Sequence, residues 1–325
     1  MKEKIFIAID SGKYNTKGIL QYRQQEFMVI FRTKLQKAND LGMELGENSF
    51  KIEFEGQQYL LGDAVSENYS NHDLSKESIH HKLAIYTAIV LLMNKAKLPL
   101  HTSQIHVAVN APINIYKNQS LKESYKRYLE HHNNRITMRI NEQLFNFFLK
   151  DITVCFEGMG LVYNQQQLFR EQSTAIIDLG GLNSTFCTFQ GLQPDFNSMA
   201  VSNIGSSALK GNIERSLVEK YGFSLSANDL ERIIIKGFLT HFGHKVNDSA
   251  DLIKQIKLDH LSSIINYAKQ HGYTFNQDQI CFVGGGSLLL GTEIRSTFPH
   301  AKIEPNPFFS NVKSFLSILK VKYGS

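Results

Sequence analysis

Acidic, hydroxyl, glycine and lysine residues lie close together in the segment IFIAIDSGKYNTKGI (5–19). Asp10 follows an apolar run, and Ser11 and Gly12 are turn residues, so the sequence predicts a β-hairpin with a carboxylate at its tip. Main-chain N–H groups around Gly12 can converge on an anion that Lys17 reaches from the return strand. This combination suits a metal-bound polyphosphate, although Asp-x-Gly alone is also common in ordinary polar turns.

The same design recurs in IIDLGGLNSTF (176–186). Asp178 ends an apolar strand, Gly180 and Gly181 supply the turn, and a polar return strand follows. One motif of this kind decides little, but two of them favour a molecule built from two related halves.

A third glycine-rich segment follows a predicted buried strand at 280–283. This strand is followed by Gly284, Gly285 and Gly286, and then by a helix that begins at 288–290. A triple glycine at such a switch lets the main chain approach a planar or anionic ligand closely. A flexible turn without a ligand is an equally good interpretation of these three residues alone.

Hydrophobic periodicity predicts the elements that would hold these segments in place. Period-2 alternation indicates strands, and apolar residues at helical spacing that stop at proline or glycine indicate helices. The predicted strands are 27–33, a hairpin over 51–61, 104–109 and another hairpin of strands over 136–156. The predicted helices are 76–97, 121–131, 158–170 as a crossover between domains, 205–221, 226–238, 251–270 and a last helix that begins at 310–313.

Composition bounds the class of protein. The chain has 325 residues, 42% hydrophobic and 20% charged, which suits two cores of roughly 150 residues each. The formal charge of +5 is small and dispersed, so we expect little direct DNA binding. The longest uncharged apolar run, 83–93, is far shorter than the ~18 residues that span a bilayer. We therefore expect a cytoplasmic protein with no signal peptide and no membrane partner.

Cysteine and histidine residues show no spacing typical of a metal site. Cys155, Cys187 and Cys281 are widely separated in apolar segments, which is typical of reduced core thiols. The adjacent histidines at 80–81 and 131–132 would point about 100° apart on a helix and chelate one metal poorly. We interpret them as surface residues.

The order of these segments resembles that of the actin-like ATPase superfamily, and within it the chain is most similar to the bacterial plasmid-segregation actins of the ParM type. The resemblance rests on five segments: a first phosphate loop IDSGKYNTKG (9–18), a first interdomain connection FEGMG (156–160), a second phosphate loop IDLGGLNST (177–185), an adenosine motif VGGGS (283–287) and a second connection NPFFSNVKSF (306–315).

The resemblance implies an α/β fold of the actin-like ATPase type. This fold has two domains, each with a mixed β-sheet flanked by helices, and holds its nucleotide in the interdomain cleft. Domain I is expected over 1–160, completed by 306–325, and domain II over 161–305.

The resemblance also implies a site for ATP, with GTP as an alternative. Asp10 and Asp178 would hold Mg²⁺ through water, since magnesium keeps much of its hydration shell. Glu157 would orient the attacking water, and these three residues are the expected catalytic group. The expected nucleotide-binding residues are Asp10, Ser11, Gly12, Lys17, Asp178, Gly180, Gly181, Asn183, Gly284, Gly285, Gly286 and, as a wall of the adenosine pocket, Lys236.

Three functions are compatible with this resemblance. The leading hypothesis is a protein that polymerises on binding ATP, hydrolyses it, and moves plasmid DNA held at a centromere-like site by a separate DNA-binding adaptor protein. The alternative is a small-molecule kinase of the same fold, which needs an acidic base beside its acceptor, and only Glu157 is a candidate. A chaperone-type ATPase carries a peptide-binding extension, which we do not expect here.

Overall fold

The computed structural model describes residues 4–38, 44–66, 76–101, 103–156, 160–222 and 224–324. The chain divides into two compact units, which we call unit 1 (Met1–Gln165 with Phe309–Ser325) and unit 2 (Gln166–Phe308). In the described part of the chain, no helix combines the length and apolar character that a membrane span requires.

Unit 1 contains one mixed sheet and one antiparallel sheet. The mixed sheet has the order β10-β7-β1-β2-β3, in which β10, β7 and β1 are parallel, and the antiparallel sheet has the order β4-β6-β5-β8-β9. The strands are β1 (Lys4–Ser11), β2 (Asn15–Tyr22), β3 (Gln25–Arg32), β4 (Leu35–Lys37), β5 (Ser49–Phe54), β6 (Gln57–Gly62), β7 (Gln104–Ala111), β8 (Ile136–Ile140), β9 (Gln143–Phe147) and β10 (Leu149–Phe156). The helices are α1 (Ile79–Lys95), α2 (Ile113–Lys117), α3 (Gln119–Leu129) and α4 (Gly160–Asn164).

Unit 2 is built on a second mixed sheet, of order β13-β12-β11-β16-β17, with a separate two-stranded hairpin β14-β15. Its strands are β11 (Ser173–Leu179), β12 (Ser184–Gln190), β13 (Gln193–Ser202), β14 (Thr240–His241), β15 (His244–Lys245), β16 (Gln279–Val283) and β17 (Lys302–Ile303). Its helices are α5 (Gln166–Phe169), α6 (Ser206–Tyr221), α7 (Ala227–Lys236), α8 (Ser249–Gln270), α9 (Gly285–Leu289) and α10 (Gly291–Thr297). The chain then returns to unit 1 as α11 (Ser310–Tyr323).

Side-chain alternation along β1 determines which way Asp10 faces. Ile5, Ile7 and Ile9 are fully buried in the core that α1 shares. Successive strand residues point to opposite faces of a sheet, so Asp10 lies on the other face with Phe6, whose ring packs against Tyr323 of α11. Helices α1 and α11 therefore cover opposite faces of this sheet, and Asp10 lies on the α11 side.

Gly18 explains how closely α1 approaches the first hairpin. It stands opposite Ile9 in the ladder, and a Cβ placed on it would lie 2.9 Å from Leu92 Cδ1 of α1. Any larger residue at this position would push the helix away, so this glycine serves helix packing.

The alternation along β11 in unit 2 follows the same logic. Ala175, Ile177 and Leu179 belong to the core shared with α6 and α8. Asp178 therefore points to the face of the sheet away from those helices.

The fold class and most predicted elements are confirmed, and four details are corrected. The predicted helix 158–170 is two short helices, α4 and α5, in the described residues from 160 onward. The short strand β4, which was not predicted, follows the predicted strand 27–33, and the separate helix α2 precedes α3. Within 136–156 only β8 and β9 form a hairpin, because β10 leaves for the mixed sheet and pairs with β7.

Candidate functional site

The first hairpin places Asp10 and Lys17 opposite each other in the β1–β2 ladder. Asp10 is only 6% exposed, and Lys17 Nζ lies 4.0 Å from its Oδ2 atom. The Gly12 N–H donates to the Asn15 carbonyl at 3.0 Å and closes the turn. The structure thus brings the predicted carboxylate and ammonium together, while the Gly12 N–H is used within the turn itself.

Buried polar groups hold Ser11 next to this carboxylate. The Ser11 N–H donates to Asn110 Oδ1 at 3.0 Å, and its hydroxyl lies 3.1 Å from that of Thr16. The Thr16 hydroxyl in turn lies 2.8 Å from that of Thr33. Ser11, Thr16 and Asn110 are almost completely buried, so the loop rests on a side-chain network that the sequence analysis did not identify.

His81 belongs to the layer beneath this network, which corrects its interpretation as a surface residue. Tyr125 donates its hydroxyl to the Asn110 carbonyl at 3.3 Å, and the same hydroxyl is hydrogen-bonded to His81 Nε2. Burial, together with the nearby Lys76 ammonium, lowers the pKa of His81 well below its usual value. His81 is therefore neutral at pH 7 and serves the core.

Segments of the two predicted connections meet within unit 1. Asn311, at the start of α11, donates from Nδ2 to Asp10 Oδ2 over 3.4 Å, a long and weak contact. A Cβ on Gly160 would lie 2.9 Å from the Ser310 carbonyl oxygen, so α4 packs tightly on α11. Asn311 is a further residue beside the first carboxylate that the sequence analysis did not select.

The second hairpin repeats the geometry of the first. Asp178 is 7% exposed and stands opposite Thr185 in the β11–β12 ladder. The Gly180 N–H donates to the Asn183 carbonyl at 2.9 Å and closes the turn. The carbonyls of Gly180 and Gly181 then accept the first N–H groups of α6, from Ser206 and Ser207 at 3.0 and 2.8 Å.

Gly181 and Leu182 carry the main-chain donors that this hairpin offers to a ligand. Within the described ranges, neither residue's N–H has a hydrogen-bond partner. Two such neighbouring groups in a turn are a common way to bind an anion.

The triple glycine packs against the second aspartate. Val283 is the parallel neighbour of Asp178, so the next residue, Gly284, reaches the carboxylate. Gly284 has φ +78°, and a Cβ there would lie 2.2 Å from Asp178 Oδ1. A Cβ on Gly286 would lie 2.9 Å from Leu179. This segment therefore lies against the end of β11, and its close approach to a ligand stays a prediction.

The remaining predicted residues stand apart from these contacts. Lys236 ends α7 with an exposed side chain and makes no hydrogen bond or ion pair with another described residue. Lys210 of α6, which the sequence analysis did not select, forms an ion pair with Glu231 of α7. Glu157 lies outside the described residues.

The donor chemistry of each hairpin, taken by itself, fits a hydrated magnesium ion. Each hairpin provides one buried carboxylate at the end of a strand, and magnesium in nucleotide sites is held by one or two carboxylates together with water and phosphate oxygens. Lys17 places a positive charge beside Asp10.

Comparisons with known proteins show what the fold resembles. Residues 8–160 match the family model described as actin like proteins N terminal domain. The comparison with curated proteins gives no match.

Three solved structures illustrate the structural likeness. The Alp12 filament structure is 24% identical, with a TM-score of 0.75 over 99% of this chain and 100% of that chain. A 15-stranded ParM filament from Clostridium botulinum is 20% identical, with a TM-score of 0.75 over 98% and 99%. Ta0583, an archaeal actin homolog in complex with ADP, is 18% identical, with a TM-score of 0.75 over 98% and 99%. Residues 8–160 therefore resemble the N-terminal domain of the actin-like proteins, and the chain as a whole has the actin-like fold.

Proposed function

We propose that this protein binds ATP with Mg²⁺, polymerises, hydrolyses the nucleotide and thereby segregates plasmid DNA held by a DNA-binding adaptor. The observation that supports this most is one hairpin design present in both units. In each hairpin a buried aspartate is the penultimate residue of a strand, and a glycine N–H closes the turn that follows. The filament and ADP-bound structures with the same fold support assembly and nucleotide binding.

Within this proposal, the residues of the two hairpins have distinct roles. Asp10 and Asp178 would hold a hydrated Mg²⁺ ion through water. Lys17 and the N–H groups of Gly181 and Leu182 bind phosphate oxygens. Bound Mg²⁺ would offset the negative charge of the β- and γ-phosphates.

Glu157 is assigned to orient the attacking water. Phosphoryl transfer to water depends mainly on positioning and charge stabilisation, so losing this carboxylate should slow hydrolysis about a hundredfold or more and leave ATP affinity intact. Glu157→Ala should therefore assemble with ATP, release phosphate slowly and form longer-lived polymers. Parental phosphate release in this variant would remove Glu157 from the mechanism.

Light scattering of the purified protein, with and without ATP–Mg²⁺, tests the proposal. We expect scattering to rise after ATP addition and to fall as ATP is consumed. Asp178→Asn should abolish both the rise and the ATP turnover, because the variant loses a metal-binding charge without losing side-chain volume. Asp259→Asn, which changes an exposed aspartate on α8, is the matched control and should behave like the parent.

Other outcomes contradict the proposal in distinct ways. Unchanged assembly in Asp178→Asn would remove this aspartate from the nucleotide site. ATP turnover without any change in scattering, but dependent on an added small alcohol or sugar, would favour the kinase alternative.

The adaptor part of the proposal predicts weak direct contact with DNA. The net charge of +5 is small, so the pure protein should shift duplex DNA only at low salt. A salt-resistant, sequence-specific shift by the pure protein would contradict the need for an adaptor.

A further inference from the structure

Lys76 lies directly beneath the first phosphate loop although 65 residues separate it from Ser11. Its ammonium donates to the Ser11 carbonyl at 2.8 Å, and the residue is only 6% exposed. It precedes α1, whose N-cap is Ser78. A buried ammonium on a loop carbonyl is a local positive charge within the low-dielectric interior, where charges act strongly.

The three polar groups of Ser11 are each held by a different partner. Asn110 accepts from its N–H, Thr16 contacts its hydroxyl, and Lys76 donates to its carbonyl. Lys76 is the charged member of this set, and hydrogen bonds to charged groups are about twice as strong as neutral ones.

The bond from Lys76 also acts on the turn. The Ser11 carbonyl and the Gly12 N–H belong to one peptide group, and that N–H donates to Asn15 at 3.0 Å. Hydrogen bonds in a chain polarise one another, so an ammonium on the carbonyl strengthens the N–H bond that closes the turn.

We propose that Lys76 is a positioning residue that holds the first phosphate loop in its nucleotide-binding shape and adds positive charge close to the bound phosphates. This inference rests on the proposed nucleotide binding. After burial, the Lys76 charge is the second cause of the low pKa of the neighbouring His81. The charge of Lys76 therefore acts on groups near it.

Lys82, in the helix that follows Lys76, offers a matched control. It is also only 6% exposed, but its ammonium lies 3.8 Å from the centre of the Tyr128 ring instead of on the loop. Removing the charge of Lys82 therefore changes a buried lysine in the same region without touching Ser11.

Calorimetric titration with ATP–Mg²⁺ and, separately, with adenosine tests the assignment. Lys76→Gln keeps a donor but loses the charge, and it should weaken ATP binding about tenfold or more while adenosine affinity stays within about twofold. Lys76→Arg should recover most of the ATP affinity, because the positive charge returns. Lys82→Gln should bind ATP like the parent.

Each other result has a definite meaning. If the parent does not bind ATP, the proposed function fails and this inference, which rests on it, fails as well. If the parent binds ATP and Lys76→Gln binds it equally well, the inference alone is overturned. Equal losses for ATP and adenosine, or unfolding of Lys76→Gln where Lys76→Arg stays folded, would show a structural role and also overturn it.

Discussion

The two aspartate hairpins share their geometry but differ in how the protein supports them. In each, the turn glycine donates to a carbonyl three residues on, at 3.0 Å for Gly12 and 2.9 Å for Gly180. Around the first hairpin the supports are side chains, such as Asn110 on the Ser11 N–H. Around the second they are mostly main chain, because α6 donates its first N–H groups to the loop and Gly284 lies against Asp178. One side chain contributes as well, since the Ser184 hydroxyl donates to the Ile204 carbonyl.

This difference predicts different responses to mutation. A hairpin supported by side chains loses stability when a hydrogen-bonding group is removed, and a substitution that restores the group can rescue it. A hairpin supported by close main-chain approach is intolerant of added atoms. The first hairpin should therefore be sensitive to the loss of hydrogen-bonding groups, and the second should be sensitive to larger side chains.

The largest expected effect is at Gly284. Gly284→Ala forces an alanine into φ +78° and places its Cβ on the Asp178 carboxylate, which should cost about 2–4 kcal/mol of unfolding free energy. Urea denaturation measures this. Gly211→Ala is the control, because no atom lies within 4 Å of its Cβ inside α6, and it should stabilise the protein by about 0.5–1 kcal/mol. Equal effects of the two variants on stability would contradict the claim that the second hairpin depends on close main-chain approach.

Removing a side-chain support should have a smaller effect, confined to the first hairpin. Asn110→Ala leaves the buried Ser11 N–H without its acceptor and should cost about 1–3 kcal/mol. Hydrogen exchange should become faster over 4–22 and stay unchanged over 173–190. Asn146→Ala removes an amide on the outer strand β9 and should stay within about 0.5 kcal/mol of the parent. Faster exchange in both hairpins would contradict independent support.

The smallest expected effect concerns pH. His81 in unit 1 and His260 in unit 2 both have pKa values lowered by burial, His81 more strongly because the Lys76 charge adds to it. The unfolded chain therefore binds more protons below about pH 6.5, and stability falls as pH falls, by at most about 1.4 kcal/mol per pH unit for each histidine.

Urea midpoints at pH 7.5 and 5.5 measure this dependence. His81→Gln should flatten it more than His260→Gln does. The reverse order would show that the layer under the first hairpin is not more sensitive to protonation than the core of unit 2.

The sequence predicted what is local in this molecule. The apolar runs before Asp10 and Asp178, and the start of a helix at 226, depend on neighbouring residues. The structure shows the expected strands, and it shows a capping box at Ser226. The Ser11 supports could not be predicted, because Asn110 and Lys76 reach it across 99 and 65 residues.

The burial of histidine residues shows the same limit of prediction from sequence. His81 carries no local sign of burial, because its environment is created by Tyr125, 44 residues further along. Helical spacing predicts the angle between the His80 and His81 side chains, but it does not predict which of the two is buried in the core. The bounds of the nucleotide-binding domains and the roles of the site residues stay predictions.

The most direct test of the account is whether Asp10 and Asp178 act on one metal–nucleotide complex. A double-mutant cycle tests this. Calorimetry measures the ATP affinity with and without Mg²⁺ for four proteins: the parent, Asp10→Asn, Asp178→Asn and the double variant. Residues that share one ion should be strongly non-additive, so the double variant should lose little more Mg²⁺-dependent affinity than either single variant. Additive losses, or a single variant with parental Mg²⁺-dependent affinity, would contradict a site shared by the two hairpins.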